Sequence, residues 1–199
     1  MGNKQYNKKI EEKKCDKKCD KKCDKKCDKK CDKIDEIDGY KIVFVGSSGC
    51  GAKTSLIKVL VGEKFKENEV STTNCSFAEK VINNINAHLW DTIGQEKFRD
   101  LNKIFLINAD CIILGYEVTR RDSFEEIVDY WCSTAKNIET CKLFYLIGNK
   151  IDLYQERVIS TEEGEKFAEK ENLRFFEVSC KTGEGIKNFL DDLENNVTK

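Results

Sequence analysis

A short apolar run, a glycine-rich loop and a helical stretch follow one another between Tyr40 and Leu60, and this succession limits the fold most sharply. Tyr40-Lys41-Ile42-Val43-Phe44-Val45 reads as a buried parallel strand, because strands covered on both faces carry near-continuous apolar runs. Gly46-Ser47-Ser48-Gly49-Cys50-Gly51-Ala52-Lys53-Thr54 follows, and Ser55-Leu56-Ile57-Lys58-Val59-Leu60 reads as a helix. A strand, a glycine loop and a helix in that order turn backbone N–H groups and a helix N-terminus toward one anion. Lys53 would bridge β- and γ-phosphates, and Thr54 would bind Mg²⁺. Gly49, Cys50, Gly51, Ala52 and Ser55 complete the phosphate cradle.

The loop departs from its usual spacing. The motif wants Gly-x₄-Gly followed at once by Lys, and Ala52 stands between Gly51 and Lys53. Two registers are open. Either one residue is inserted, or Ser47 and Ala52 occupy the places of the two glycines. In the second register Ala52 takes up glycine-like backbone angles, with a Cβ beside the phosphates.

A second segment chooses the base. Asn149-Lys150-Ile151-Asp152 ends the strand Leu143 to Gly148. An Asn side chain there can bond the edge of a purine. The Asp carboxylate can accept from both N1–H and the exocyclic amine of guanine, a pattern adenine does not offer. A site built this way rejects the wrong base, because its buried polar groups would be left unpaired.

Read in order, Lys53-Thr54, Trp90-Asp91-Thr92-Ile93-Gly94-Gln95-Glu96, Asn149-Lys150-Ile151-Asp152 and Ser179-Cys180-Lys181 resemble a Ras-superfamily small GTPase. The resemblance is greatest to the Rab group and covers roughly residues 40–196. It implies GTP and GDP as ligands, with Mg²⁺. Thr72, 19 residues beyond Lys53, would ligate Mg²⁺ and sense the γ-phosphate. Asp91 would hold a Mg²⁺-bound water, Gly94 would give its N–H to the γ-phosphate, and Gln95 would orient the attacking water. Phe65 matches the aromatic that packs on the guanine, with a core-facing helix-end Phe as the rival reading. Lys150 would lay its stem along the base. In the loop Ser179-Cys180-Lys181, the Cys180 N–H would meet the guanine oxygen. An exchange factor, a GTPase-activating protein and effectors would bind through the switch regions.

Several residues depart from the Rab pattern. Asn74 replaces a usual Gly, Ser76 a usual Asp, and Ile93 a usual Ala, which adds bulk beside the γ-phosphate. Ile104 to Asp110 lacks the Tyr-Tyr-Arg-Gly of Rabs, and no Cys follows Cys180 to carry a prenyl group. An active switch is the leading reading. A nucleotide-poor scaffold that keeps the fold but not the cycle is its rival.

The remaining pattern fits this fold. Phe77 to Val81 and Ile85 to Trp90 alternate around Asn83-Asn84 as a hairpin, with His88 expected on its solvated side. Cys111 to Val118 and Arg174 to Val178 read as strands. Helices are expected from Asp122-Ser123 with capping side chains, from Ser160, and from Gly183. Strands alternating with helices predict an α/β P-loop NTPase, a doubly wound sheet of six strands with flanking helices over residues 39–199.

Residues 1–38 are different. Cys-Asp-Lys-Lys repeats there, with Cys15, Cys19, Cys23, Cys27 and Cys31 four apart. Such a period sets Lys over Lys and Asp over Asp at i and i+4, which disfavours a helix, and too few apolar residues exist for a core. A disordered tail is expected. Lipidation, metal binding and a low-complexity expansion without a task are the readings. For lipidation, Gly2 is the candidate for myristate and the five cysteines for palmitate. The tail holds 14 Lys against 10 acidic residues, and the body 21 basic against 26 acidic residues. The acidic body argues against a nucleic-acid partner and leaves a membrane surface as a partner of the tail. A cytoplasmic location is expected, peripheral on the cytosolic face of an endomembrane, where the eleven cysteines would stay reduced.

Overall fold

The structure, a computed structural model, describes residues 39–47, 52–67, 75–94 and 99–197. Gly2, the five repeat cysteines, Gly49, Cys50, Gly51, Thr72 and Gln95 lie outside the described residues. Six strands form one sheet: β1 (Tyr40–Val45), β2 (Ser76–Ile82), β3 (Ile85–Asp91), β4 (Cys111–Glu117), β5 (Leu143–Asn149) and β6 (Arg174–Val178). Their spatial order is β2-β3-β1-β4-β5-β6, and every neighbour pair is parallel except β2 with β3. The β2–β3 turn uses Asn83 and Asn84 at φ 49° and 61°, the left-handed pair that a two-residue hairpin requires.

Helices α1 (Thr54–Leu60), α2 (Arg99–Leu106), α3 (Arg121–Glu126), α4 (Cys132–Lys136), α5 (Thr161–Lys170) and α6 (Ile186–Asn196) cover the sheet. A π-helical segment, Ile127–Trp131, joins α3 to α4 without a break. Alternate strand residues enter opposite core layers, since strand side chains point to opposite faces. Ile42 and Phe44 join Leu56, Leu60, Phe189 and Leu193 under α1 and α6. Val43 and Val45 join Leu106, Phe124, Trp131 and Ala168 on the other side. Both faces of β4 are covered, so all seven of its residues are buried.

Ser160 caps α5 as expected, its Oγ accepting the Glu163 N–H at 3.2 Å. The other expected cap does not form. Helix α3 begins at Arg121, and its N-cap residue Arg120 has no side-chain cap bond. Asp122 instead binds the Arg120 guanidinium, and Ser123 Oγ accepts the Glu117 N–H at 3.1 Å. The hydroxyl thus ties the helix start to the end of β4. His88 also departs from expectation. It is buried, edge-on to the Phe77 ring at 6.1 Å, with Nε2 4.0 Å from Glu79 Oε1. The hairpin face it occupies carries Phe77 and Trp90, so aromatic packing covers it.

Candidate functional site

The loops at the C-terminal ends of the parallel strands carry the chemistry, as in open α/β sheets generally. The strand β1 ends at Val45, and Gly46 follows at φ 147°. A Cβ on Gly46 would meet the Gly115 carbonyl oxygen at 2.1 Å, so only glycine fits this approach. Lys53 is buried, and its Nζ donates to the carbonyl oxygens of Gly46 at 2.8 Å and Ser47 at 2.6 Å. Two carbonyls therefore aim the ammonium across the mouth of the loop. Ala52, directly before it, is also fully buried.

Thr54 Oγ1 donates to Asp91 Oδ2 at 2.7 Å. Asp91 stands at the end of β3, opposite Phe44 of β1. The segment after it is pinned twice. Thr92 Oγ1 donates to the Phe44 carbonyl at 2.6 Å, and Asn102 Nδ2 of α2 donates to the Ile93 carbonyl. A hydroxyl and a carboxylate in contact are hard oxygen donors and fit a Mg²⁺ ion. When bound, that ion neutralises phosphate charge. Ile93 is only 4% exposed, so its side chain is covered by protein, and Gly94 beside it is buried too.

The base corner is built from β5 and β6. Asn149 is buried, and its Oδ1 accepts the Cys180 N–H at 3.2 Å. The N–H that the resemblance gives to the guanine oxygen is thus held by Asn149 in this structure. Asp152 Oδ1 accepts the Ser179 hydroxyl at 2.6 Å, and Ser179 Oγ accepts the Thr182 N–H at 3.1 Å. Between Asn149 and Asp152 the chain turns through Lys150 at φ 69°, a left-handed conformation uncommon for a side-chain-bearing residue. Lys150 Nζ lies 3.0 Å from Glu117 Oε1 at the end of β4. Burial pushes the Cys180 thiol up to about 12, with Asp152 adding to the rise and the Asn149 hydrogen bond opposing it. Phe65 is half-buried against the core layer that contains Cys180. Lys181 reaches Glu67 at 2.9 Å through an exposed ion pair.

Sequence reasoning missed Glu117, Glu126, Thr92 and Asn102. Glu117 had a visible signal, since it charges the end of an apolar strand. Glu126 had none in its local pattern. Its carboxylate binds Ser47 Oγ and accepts the Trp131 indole N–H at 3.1 Å, joining residues 79 apart in sequence. On the outer side, Phe77 stacks on Trp90 with centroids 5.4 Å apart, and Trp90 lies 5.8 Å from Phe105. Ile104 and Ile107 stand exposed on and beside α2.

A buried loop lysine after β1, the Thr54–Asp91 contact beside it, and the hydrogen-bonded Asn149, Asp152, Ser179 and Cys180 after β5 and β6 are the arrangement expected of a guanine-nucleotide-binding P-loop protein. The model of the Ras family matches residues 41–199, and on that match the chain belongs to the Ras family. It is similar to Ras-related protein Rab-2B of Dictyostelium discoideum, 36% identical over 80% of this chain and 81% of the relative. It is similar to Ras-related protein Rab-21 of Mus musculus, 34% identical over 77% of this chain and 71% of the relative. Ras-related protein Rab-1 of Theileria parva is 36% identical over 74% of this chain and 69% of the relative. As a member of this family the chain is a GTPase that hydrolyses GTP to GDP and binds both with Mg²⁺.

Proposed function

We propose that the chain is a Rab-like switch with slow intrinsic hydrolysis, working in vesicular traffic on the cytosolic face of an endomembrane. The observation that carries the reading is the base corner. Asn149 takes the Cys180 N–H and Asp152 the neighbouring Ser179 hydroxyl, at the same C-terminal ends of the strands that carry Lys53, Thr54 and Asp91. Lys53 and the phosphate-loop N–H groups hold the phosphates. Thr54 and Thr72 bind the ion, and Asp152 and Asn149 read the base. Gln95 orients the attacking water. Without an arginine from a partner, such sites turn over on the order of 10⁻⁴ to 10⁻² s⁻¹. Contacts to the γ-phosphate order the segments of Thr72 and Gly94, and hydrolysis releases them.

Exchange factor, activating protein and effectors bind across these segments. The aromatic group of Phe77, Trp90 and Phe105 supports an effector face, since aromatic side chains are enriched where partners dock. The Lys- and Cys-rich tail of residues 1–38 anchors the protein to a membrane through acyl chains on the repeat cysteines, with Gly2 as a second acceptor. No helix among the described residues is long and apolar enough to cross a membrane.

Two measurements test the reading. Nucleotide extracted from purified protein should be GDP or GTP near one per chain, and single-turnover hydrolysis should fall in the range above. Protein that neither carries nor takes up guanine nucleotide would identify a scaffold instead. For the tail, changing Cys15, Cys19, Cys23, Cys27 and Cys31 together to Ser should release the protein from membranes. Wild-type protein found wholly soluble, without hydroxylamine-sensitive acyl groups, would refute the anchor.

A further inference from the structure

We infer that Gly115 of β4 and Ala52 of the phosphate loop are a matched pair, and that Gly115 is a positioning residue for Lys53. The inference rests on the phosphate loop holding nucleotide in this chain. A Cβ built on Gly115 would stand 2.9 Å from Ala52 Cβ, 3.1 Å from its carbonyl oxygen and 3.4 Å from its carbonyl carbon. The Ala52 methyl therefore packs into the space that a side chain at position 115 would fill. That methyl turns to the sheet.

The strand supports the same assignment. Its neighbours Ile112, Ile113, Leu114 and Tyr116 are large and fully buried, and Gly115 interrupts them in the centre of the sheet. Glycine weakens such a strand and marks a place where another backbone comes close. Here both stems of the loop come close. Gly46 comes close to the Gly115 carbonyl, and Ala52 stands where a side chain on Gly115 would go. Lys53 follows Ala52 directly, and its Nζ is held by the Gly46 and Ser47 carbonyls. Any displacement of Ala52 moves the base of that lysine against two fixed acceptors. The neighbour here is a methyl and a backbone carbonyl, so neither can swing aside as a flexible side chain would.

The test is a substitution cycle read by release of a fluorescent GDP analogue from the full chain. Gly115→Ala should release it about tenfold faster, because small displacements at such sites are costly. Ala52→Gly combined with Gly115→Ala removes the closest of the three contacts and should recover at least about threefold of that loss. Gly148→Ala serves as the control. Its Cβ would meet the Tyr116 hydroxyl at 2.8 Å, so it disturbs the core elsewhere, and Ala52→Gly should not relieve it. Release from Gly115→Ala at the wild-type rate would overturn the pairing. So would a double variant as fast as the single one, or equal relief of Gly148→Ala. If Gly115→Ala does not fold, the melting temperature and yield of the double variant decide, and no gain over the single variant overturns the pair. Wild-type protein that takes up no analogue would refute nucleotide binding. The melting temperatures of the cycle would still decide the pairing.

Discussion

Replacing Glu126 with Ala should loosen the phosphate loop from the far side of the core. Glu126 ends α3 and is 8% exposed. One carboxylate oxygen takes the Ser47 hydroxyl, and the other takes the Trp131 indole N–H at 3.1 Å. The π-helical segment Ile127–Trp131 brings that indole, five residues on, back beside the carboxylate. Trp131 is 1% exposed, so truncation strands its N–H away from water. A stranded buried donor costs about 1–3 kcal/mol, and the Ser47 hydroxyl, which can rotate, adds about 1 kcal/mol. Release of a buried carboxylate from its desolvation penalty offsets part of this sum. A net loss of about 2–3 kcal/mol is expected. Glu126→Gln keeps the volume and one carbonyl acceptor and should lose about 1 kcal/mol or less. Urea denaturation at fixed GDP concentration measures both, since bound ligand shifts apparent stability. An Ala variant within about 0.5 kcal/mol of wild type would refute the network. So would a Gln variant no more stable than the Ala variant.

The other predictions concern the site itself. Asp152→Asn should shift preference from GTP toward xanthosine triphosphate, because an amide then donates where the carboxylate accepted. Unchanged GTP affinity in competition binding would remove the base assignment. Ser179→Ala takes from Asp152 its 2.6 Å hydroxyl partner and should weaken GDP binding about tenfold, with equal affinity counting against that role. Ile93→Ala should destabilise the protein by about 2–4 kcal/mol through a cavity, given the 4% exposure of the side chain. A variant of wild-type stability that hydrolyses GTP faster would place the side chain against the γ-phosphate instead. Burial raises the thiols of Cys75 and Cys180 to about 12, with Asp91 adding to the first and Asp152 to the second. Both should react with iodoacetamide at pH 8 on the order of a thousandfold more slowly than a free thiol, as peptide mapping would show. Because the folded values lie above the unfolded ones, their contribution to stability is complete below the ordinary thiol range. It is lost as pH rises toward 12.

Local pattern alone determined the parts of this protein that depend on neighbours in sequence. The run Tyr40–Val45 is a buried strand because both its faces are apolar. Asn83 and Asn84 turn the hairpin because Asn tolerates a left-handed backbone, and Ser160 caps α5 because its hydroxyl reaches three residues along. The proposed guanine reader was legible for the same reason, since Asn149 and Asp152 stand on one short turn. Tertiary structure alone decided what lies between distant segments. Whether the Ala52 methyl faces phosphate or sheet depends on the residue opposite it, and that residue is Gly115 on another strand. Glu126 meets Ser47, Asn149 takes the Cys180 N–H, and His88 is buried among aromatics, each through a contact set by how the strands are ordered. Periodicity says which face a side chain takes. Only the sheet order and the helix packing say what stands there to meet it.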